Sequence, residues 1–211
     1  MGRLLLALIV VVGTAAPAPA LEFPSAQDVI NRVLTTARTM DVASAAVAIE
    51  LFLGTSGNAS PACVFRGVLR VSPNPTTLAV AEWTPHPLCW TIERFVLGRL
   101  FSDRDQAGEL LRSFRFEVLG EKLEDGRPHY LVYGKALAAQ SDALSVIGWV
   151  DYDRGLVTDG TIRYAWGEVT AVQEYGLVGG VWILAHQQLR VPGFGATLEI
   201  SYSGYRFLSR P

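Results

Sequence analysis

Residues 146–207 read VIGWVDYDRGLVTDGTIRYAWGEVTAVQEYGLVGGVWILAHQQLRVPGFGATLEISYSGYRF, and the reading of this stretch decides the fold. Its runs Val146–Tyr152, Leu156–Trp166, Val169–Tyr175, Val181–Val191 and Ala196–Phe207 are rich in Val, Ile, Thr, Tyr and Trp, residues that suit a pleated surface. Between them stand Asp153-Arg154-Gly155, Gly167, Gly179-Gly180 and Pro192-Gly193-Phe194-Gly195, the residue types that reverse a chain within a few steps. Consecutive strands joined by short turns pair antiparallel with their neighbours. The stretch predicts a meander. It names no chemistry.

Upstream, Phe116–Lys122 and His129–Lys135 flank Glu124-Asp125-Gly126-Arg127-Pro128 and predict a hairpin that leads into the meander. Asp103–Arg115, capped by Ser102 or Asp103 and carrying Leu110, Leu111 and Phe114 on one side, predicts a helical connection. Residues 90–100 suit either a strand or a helix. The run from Ala43 through Leu53, then Cys63–Ser72 and Leu78–Trp83, predict three further strands. Ser25, with Asp28 three residues on, precedes Val29, Ile30, Val33, Leu34, Ala37 and Met40, one apolar face of a helix over 26–40. Phe23 ahead of the cap is placed to staple onto Val29. The fold class expected is α+β: a long curved antiparallel sheet, an unclosed half-barrel, covered by an N-terminal helix and a helical connection.

At 211 residues, half of them hydrophobic and 18% charged, the chain can build a full core in a single domain. The net charge of −2 supplies no basic field for nucleic acid. Arg3, the apolar run Leu4–Val12 and the Ala18-Pro19-Ala20 site predict a signal peptide over residues 1–20, with residues 21–211 as the domain. The apolar run is about half of what a membrane-spanning helix needs, and no cysteine follows the site for lipidation. Periplasmic or secreted localisation follows. In an exported chain the two cysteines, Cys63 and Cys89, each read as standing at the start of a strand run, are expected to pair.

Candidate chemistry is sparse. His86, His129 and His186 lack metal-ligand spacing. No nucleophile elbow or phosphate loop is present. Asp151 and Asp153 beside Trp149 read best as turn residues. Arg66 and Arg70 share a strand face, solvated if that face is outward and placed to meet a lipid headgroup or a buried carboxylate if it is inward. Trp83, Trp90, Trp149, Trp166 and Trp182 are core or cavity-lining residues. The pattern points to binding, with no catalytic residue and no cofactor or metal implied.

The order of elements resembles the LolA/LolB-type lipoprotein carriers and the related sensor RseB. The segments that carry the likeness are Gly67-Val68-Leu69-Arg70-Val71-Ser72-Pro73, the hairpin from Phe116-Glu117-Val118-Leu119 to Gly126-Arg127-Pro128-His129-Tyr130-Leu131-Val132, the step Gly148-Trp149-Val150-Asp151, and the closing Leu198-Glu199-Ile200-Ser201-Tyr202. Ser72 stands where the carriers place a basic residue before the strand-ending proline. The resemblance implies an exported, non-catalytic protein holding a lipid or a lipoprotein acyl chain in the half-barrel cavity. The alternative it implies is an envelope interaction or stress-sensor protein that contacts a protein partner through the sheet. Cavity-lining candidates are Leu51, Arg70, Trp83, Trp149, Trp182 and Leu184. Along Val181–Val191 the residues Trp182, Leu184 and His186 fall on one face and Ile183, Ala185 and Leu189 on the other, and Trp149 or Trp182 is expected to look into the hollow.

Overall fold

The structure, a computed structural model, describes residues 23–39, 42–54, 60–71, 77–92, 111–138 and 143–208. In chain order these form α1 (Ala26–Thr39), β1 (Val42–Leu53), β2 (Cys63–Arg70), β3 (Thr77–Trp83), α2 (Pro87–Ile92), β4 (Phe114–Glu124), β5 (Arg127–Ala136), β6 (Ala143–Asp151), β7 (Leu156–Tyr164), β8 (Gly167–Val178), β9 (Val181–Val191) and β10 (Ala196–Phe207). The described strands join in one antiparallel sheet of 10 strands in the order β3-β2-β1-β10-β9-β8-β7-β6-β5-β4. Its ends, β3 and β4, do not meet, so the sheet is an unclosed half-barrel of the α+β class.

Local chemistry explains the boundaries. Asp28 donates its backbone N–H to Ser25 Oγ at 3.1 Å, and its carboxylate accepts from the same hydroxyl at 2.6 Å, which starts α1 where the sequence placed it. Phe23 ahead of the cap packs edge-on against Tyr130, with ring centroids 6.3 Å apart. Beyond Thr84-Pro85, His86 caps the short α2: its Nδ1 accepts the Leu88 N–H at 3.2 Å, and Pro87 takes the first helical position, where no N–H is needed. Cys89 therefore lies in a helix and not at the start of a strand. It is bridged to Cys63 of β2, Cα to Cα 5.5 Å. Of the helix expected over 103–115, residues 103–110 lie outside the described residues, as does the expected signal peptide. Phe114 and Arg115 already belong to β4.

Two separate groups of buried residues pack on the same face of the sheet. Val29 and Ile30 of α1 join Val132 and Val150, with Phe116, Val118, Tyr130 and Val157 around them. Cys89 of α2 joins Val47, Ile49, Leu51, Cys63, Phe65, Leu189, Leu198 and Ile200. The first core covers β4–β7; the second covers β1, β2, β3, β9 and β10 and reaches Ala171 of β8.

The turn after β6 is pressed against α1. Thr36 Oγ1 donates to Arg154 O at 2.8 Å, and Arg32 Nη2 donates to Asp153 O at 3.3 Å. Gly155 between them has φ +66°, and a Cβ there would stand 2.5 Å from Thr36 Oγ1 and 2.8 Å from Arg32 O. Gly155→Ala is expected to cost about 2 kcal/mol, the left-handed conformation and the overlap adding together. A urea midpoint within experimental error of wild type would show that α1 moves aside at no cost.

Candidate functional site

Directly opposed residues on neighbouring antiparallel strands project to the same face, so the register converts sequence into a surface. One row crosses the whole helix-bearing face: Val118, Val132, Gly148, Gly160, Ala171, Leu189, Leu198, Leu51 and Cys63. Both ends of this row are buried in the two cores. Its middle, on β6, β7 and β8, is Gly-Gly-Ala. A strip two strand spacings wide, about 10 Å, is thus floored by the smallest residues between two flanks of Val and Leu.

The strip has unlike ends. Toward one end lie Val146, Ile162 and Val169, an apolar row. Toward the other lie Gln173 and Gln187, directly opposed across β8 and β9. The Tyr175 hydroxyl reaches Gln173 Oε1 at 2.9 Å and Val157 O at 3.0 Å, and Tyr202 donates to Gln187 Oε1 at 3.4 Å. Burial pushes the Tyr175 and Tyr202 hydroxyls well above the ordinary phenol value, so both stay neutral donors at any physiological pH. Tyr205, whose hydroxyl donates to Leu184 O, is pushed up to about 12 by the same cause.

Gln173 and Tyr175 also line a polar cavity of about 150 Å³, with Arg127, His129, Asp151, Arg154 and Thr158 around it. Asp151 organises this cavity although it is 2% exposed. Its Oδ2 accepts from Arg127 Nε at 3.2 Å and lies 3.7 Å from Arg154 Nε, while Oδ1 accepts the Arg154 N–H at 3.1 Å. His129, buried directly opposite Asp151, places Nδ1 3.2 Å from Arg127 O. A carbonyl only accepts, so that nitrogen carries the proton, and Nε2 points to Asp151 Oδ2 at 4.0 Å. At the mouth Arg127 also pairs with Asp125 at 3.4 Å, and Glu124 pairs with Lys122 at 2.8 Å, a bond that holds the Glu124 carboxyl below its usual value. The cluster balances its own charges and ties the β4–β5 turn to the β6–β7 turn.

The structure disperses the cavity candidates read from the sequence. Leu51 is buried in the core under α2. Trp182 has the Arg154 guanidinium 3.9 Å over its ring, and Leu184 is opposed to Tyr175, a residue of the polar cavity. Trp83 is exposed on the edge strand β3, opposed to Phe65. Arg70 and Trp149 lie on the other face of the sheet. Arg70 is opposed to Ser44 and Thr77, and Trp149 is opposed to Leu131 and Asp159 under the Lys122 ammonium at 4.5 Å. Val150, and not Trp149, turns toward α1. Sequence reading missed the Gly-Gly-Ala strip and the Asp151 cluster. The sequence signals were Gly148, Gly160 and Ala171 inside strand runs, where small residues weaken a strand unless a close approach needs them.

Among the described residues, no set of His, Cys, Asp and Glu is arranged to hold a metal ion, and no helix is long and apolar enough to cross a membrane. No protein-family model matches the sequence, and no curated protein matches it. Solved structures do. A LolA superfamily protein from Nitrosomonas europaea is 12% identical at a TM-score of 0.58, over 90% of this chain and 96% of that one. A DUF1329 family protein from Desulfovibrio piger gives 10% and 0.56, over 90% and 95%. A putative outer membrane lipoprotein-sorting protein domain from Vibrio parahaemolyticus gives 12% and 0.53, over 85% and 92%. The unclosed antiparallel sheet with its helices on one face is the fold shared with the LolA superfamily protein and the lipoprotein-sorting domain.

Proposed function

We propose that the protein is an exported, non-catalytic carrier that holds the acyl chain of a lipid or lipoprotein on the helix-bearing face of its half-barrel. The observation that carries this reading is the Gly148–Gly160–Ala171 strip, which runs from the first core to Ala171 at the margin of the second. An alkyl chain laid on the strip would be flanked by Val132 and Leu189, and each methylene buried contributes about 0.8 kcal/mol. The unlike ends give the ligand a direction. Its hydrocarbon end would lie toward Ile162 and Val169, and its polar end toward Gln173, Gln187 and the neutral Tyr175 hydroxyl. The likeness in fold to a LolA superfamily protein and a lipoprotein-sorting domain supports the same class of cargo.

Filling the strip tests the reading. Ala171→Phe should weaken binding of a fluorescent fatty acid by about tenfold or more, since displacing two methylenes is worth that much. Val172→Phe, one residue along on the opposite and exposed face, should leave binding unchanged. Native mass spectrometry of the secreted protein should find a co-purified amphiphile. If wild type takes up no amphiphile, or Ala171→Phe binds as well as wild type, the carrier reading falls and a protein-contact role for the sheet replaces it.

A further inference from the structure

The end of the half-barrel opposite the polar cavity carries an aromatic cluster that neither core uses. Tyr164 and Trp166 at the β7–β8 turn are stacked, centroids 4.9 Å apart and planes 13° from parallel. Phe194, in the 3-10 turn Pro192–Phe194 between β9 and β10, approaches Trp166 at 5.8 Å. Trp166 is 56% exposed and Phe194 69%. Leu53, opposed to Ala196 where the β9–β10 turn rejoins the sheet, is exposed beside them. Large rings held this far out of a core, at two neighbouring turn tips, cost solubility, and exposed apolar clusters of this kind mark interaction sites.

The register connects this tip to the strip. Ile162 is two residues before Tyr164 on the same face, and Val169 follows Gly167 at the start of β8. An apolar path therefore runs from Gly160 through Ile162 and Val169 to the aromatic tip, at the end where the hydrocarbon of the cargo would lie. We propose that Trp166 and Phe194 insert into the interfacial region of a lipid bilayer, docking the open end of the strip on the membrane. This docking role rests on the acyl-binding reading, because it is the continuity with the strip that selects a bilayer.

Two physical arguments favour lipid over a protein partner. A standard protein interface buries about 800 Å² on each side, whereas this feature is a convex tip of three rings and a leucine. Tip-mounted Trp, Tyr and Phe match the interfacial zone, where an amphipathic ring places its apolar body in the acyl boundary and its polar edge among headgroups. Beside the rings Arg163 lies 4.0 Å from Glu168 and one further cation, Arg190, stands at the end of β9, so the rings carry docking and anionic lipid is not required.

The test is flotation of the secreted protein with phosphatidylcholine vesicles, at low and at high salt. Wild type should co-float at both, and Trp166→Ser with Phe194→Ser should lose about tenfold or more of the bound fraction. The same double variant should keep its urea midpoint and its affinity for a fluorescent fatty acid added without vesicles. In a second measurement, vesicles of bromine-labelled phosphatidylcholine should quench wild-type fluorescence, and Trp166→Phe should remove most of that quenching. Docking is overturned if wild type does not float, if the double variant floats equally, or if Trp166→Phe is quenched like wild type. Flotation without fatty-acid uptake in solution would instead leave docking standing and remove the carrier reading beneath it.

Discussion

Reducing the Cys63–Cys89 bridge is expected to lower the folding free energy by about 3.5 kcal/mol, the chain-entropy value for the sequence separation of 26 residues that it closes. The effect reaches beyond entropy, because both cysteines are fully buried and the bridge pins α2 onto the core of β1, β2, β9 and β10. Without the bridge, a helix of six residues has too few internal hydrogen bonds to persist unaided. Its Ile92 would then lose its place against that core. Urea unfolding with and without a reductant measures the change. A shift under about 1 kcal/mol would mean that the reduced chain keeps α2 docked by packing alone. The helix around Val29 and Ile30 belongs to the other core and should report the same transition, provided the two cores unfold together.

The second large effect lies at Asp151. Replacing it by Ala removes the carboxylate that Arg127 and Arg154 share and leaves two guanidiniums facing one another across a cavity. Breaking a buried pair from one side costs about 3–5 kcal/mol. The arginine side chains are about a quarter exposed and can turn toward water, which places the expected loss near the lower bound, about 3 kcal/mol. Asp151→Asn keeps an oxygen for the Arg154 N–H and should fall between wild type and Ala. Asp153→Ala, two residues on and exposed, should stay within about 0.5 kcal/mol of wild type. Equal midpoints for the Asp151 and Asp153 variants would remove Asp151 from its organising role.

These two sites show what a single sequence discloses. Helix α1 was legible because its signals are local: Ser25, Asp28 and the apolar stripe from Val29 act within a few residues of one another. The bounds of β9 and β10 match the expected ones because Gly179-Gly180 and Pro192–Gly195 punctuate them. The Cys63–Cys89 pair followed from the cysteine count, but the helix around Cys89 did not, since a histidine cap at His86 is an uncommon signal. Asp151 read as a turn residue because its neighbours Asp153, Arg154 and Gly155 do form the turn. Its burial depends on β5, which sets His129 opposite it, and on Arg127 from a different turn. Alternation separates Trp149 from Val150 but does not say which of them α1 will cover. That choice is made by the helix, over a hundred residues away in sequence.

The pairing of β1 with β10 has a consequence for the order in which the molecule can be completed. Strand β10 is the last of the described strands of this sheet in sequence order and the one that joins the β3-β2-β1 portion to the β9-to-β4 portion. A chain delivered N-terminus first can form hairpins, and can close a loop as short as the one between Cys63 and Cys89, well before that strand arrives. It cannot finish the sheet. Contacts of such large sequence separation are slow to form, and until they do β1 and β9 each present an unpaired edge open to other chains. A lesion in β10 would therefore yield two sticky half-sheets and not a slightly shortened sheet. The timing of assembly, and the period of greatest exposure to aggregation, are set by the dozen residues from Ala196 to Phe207.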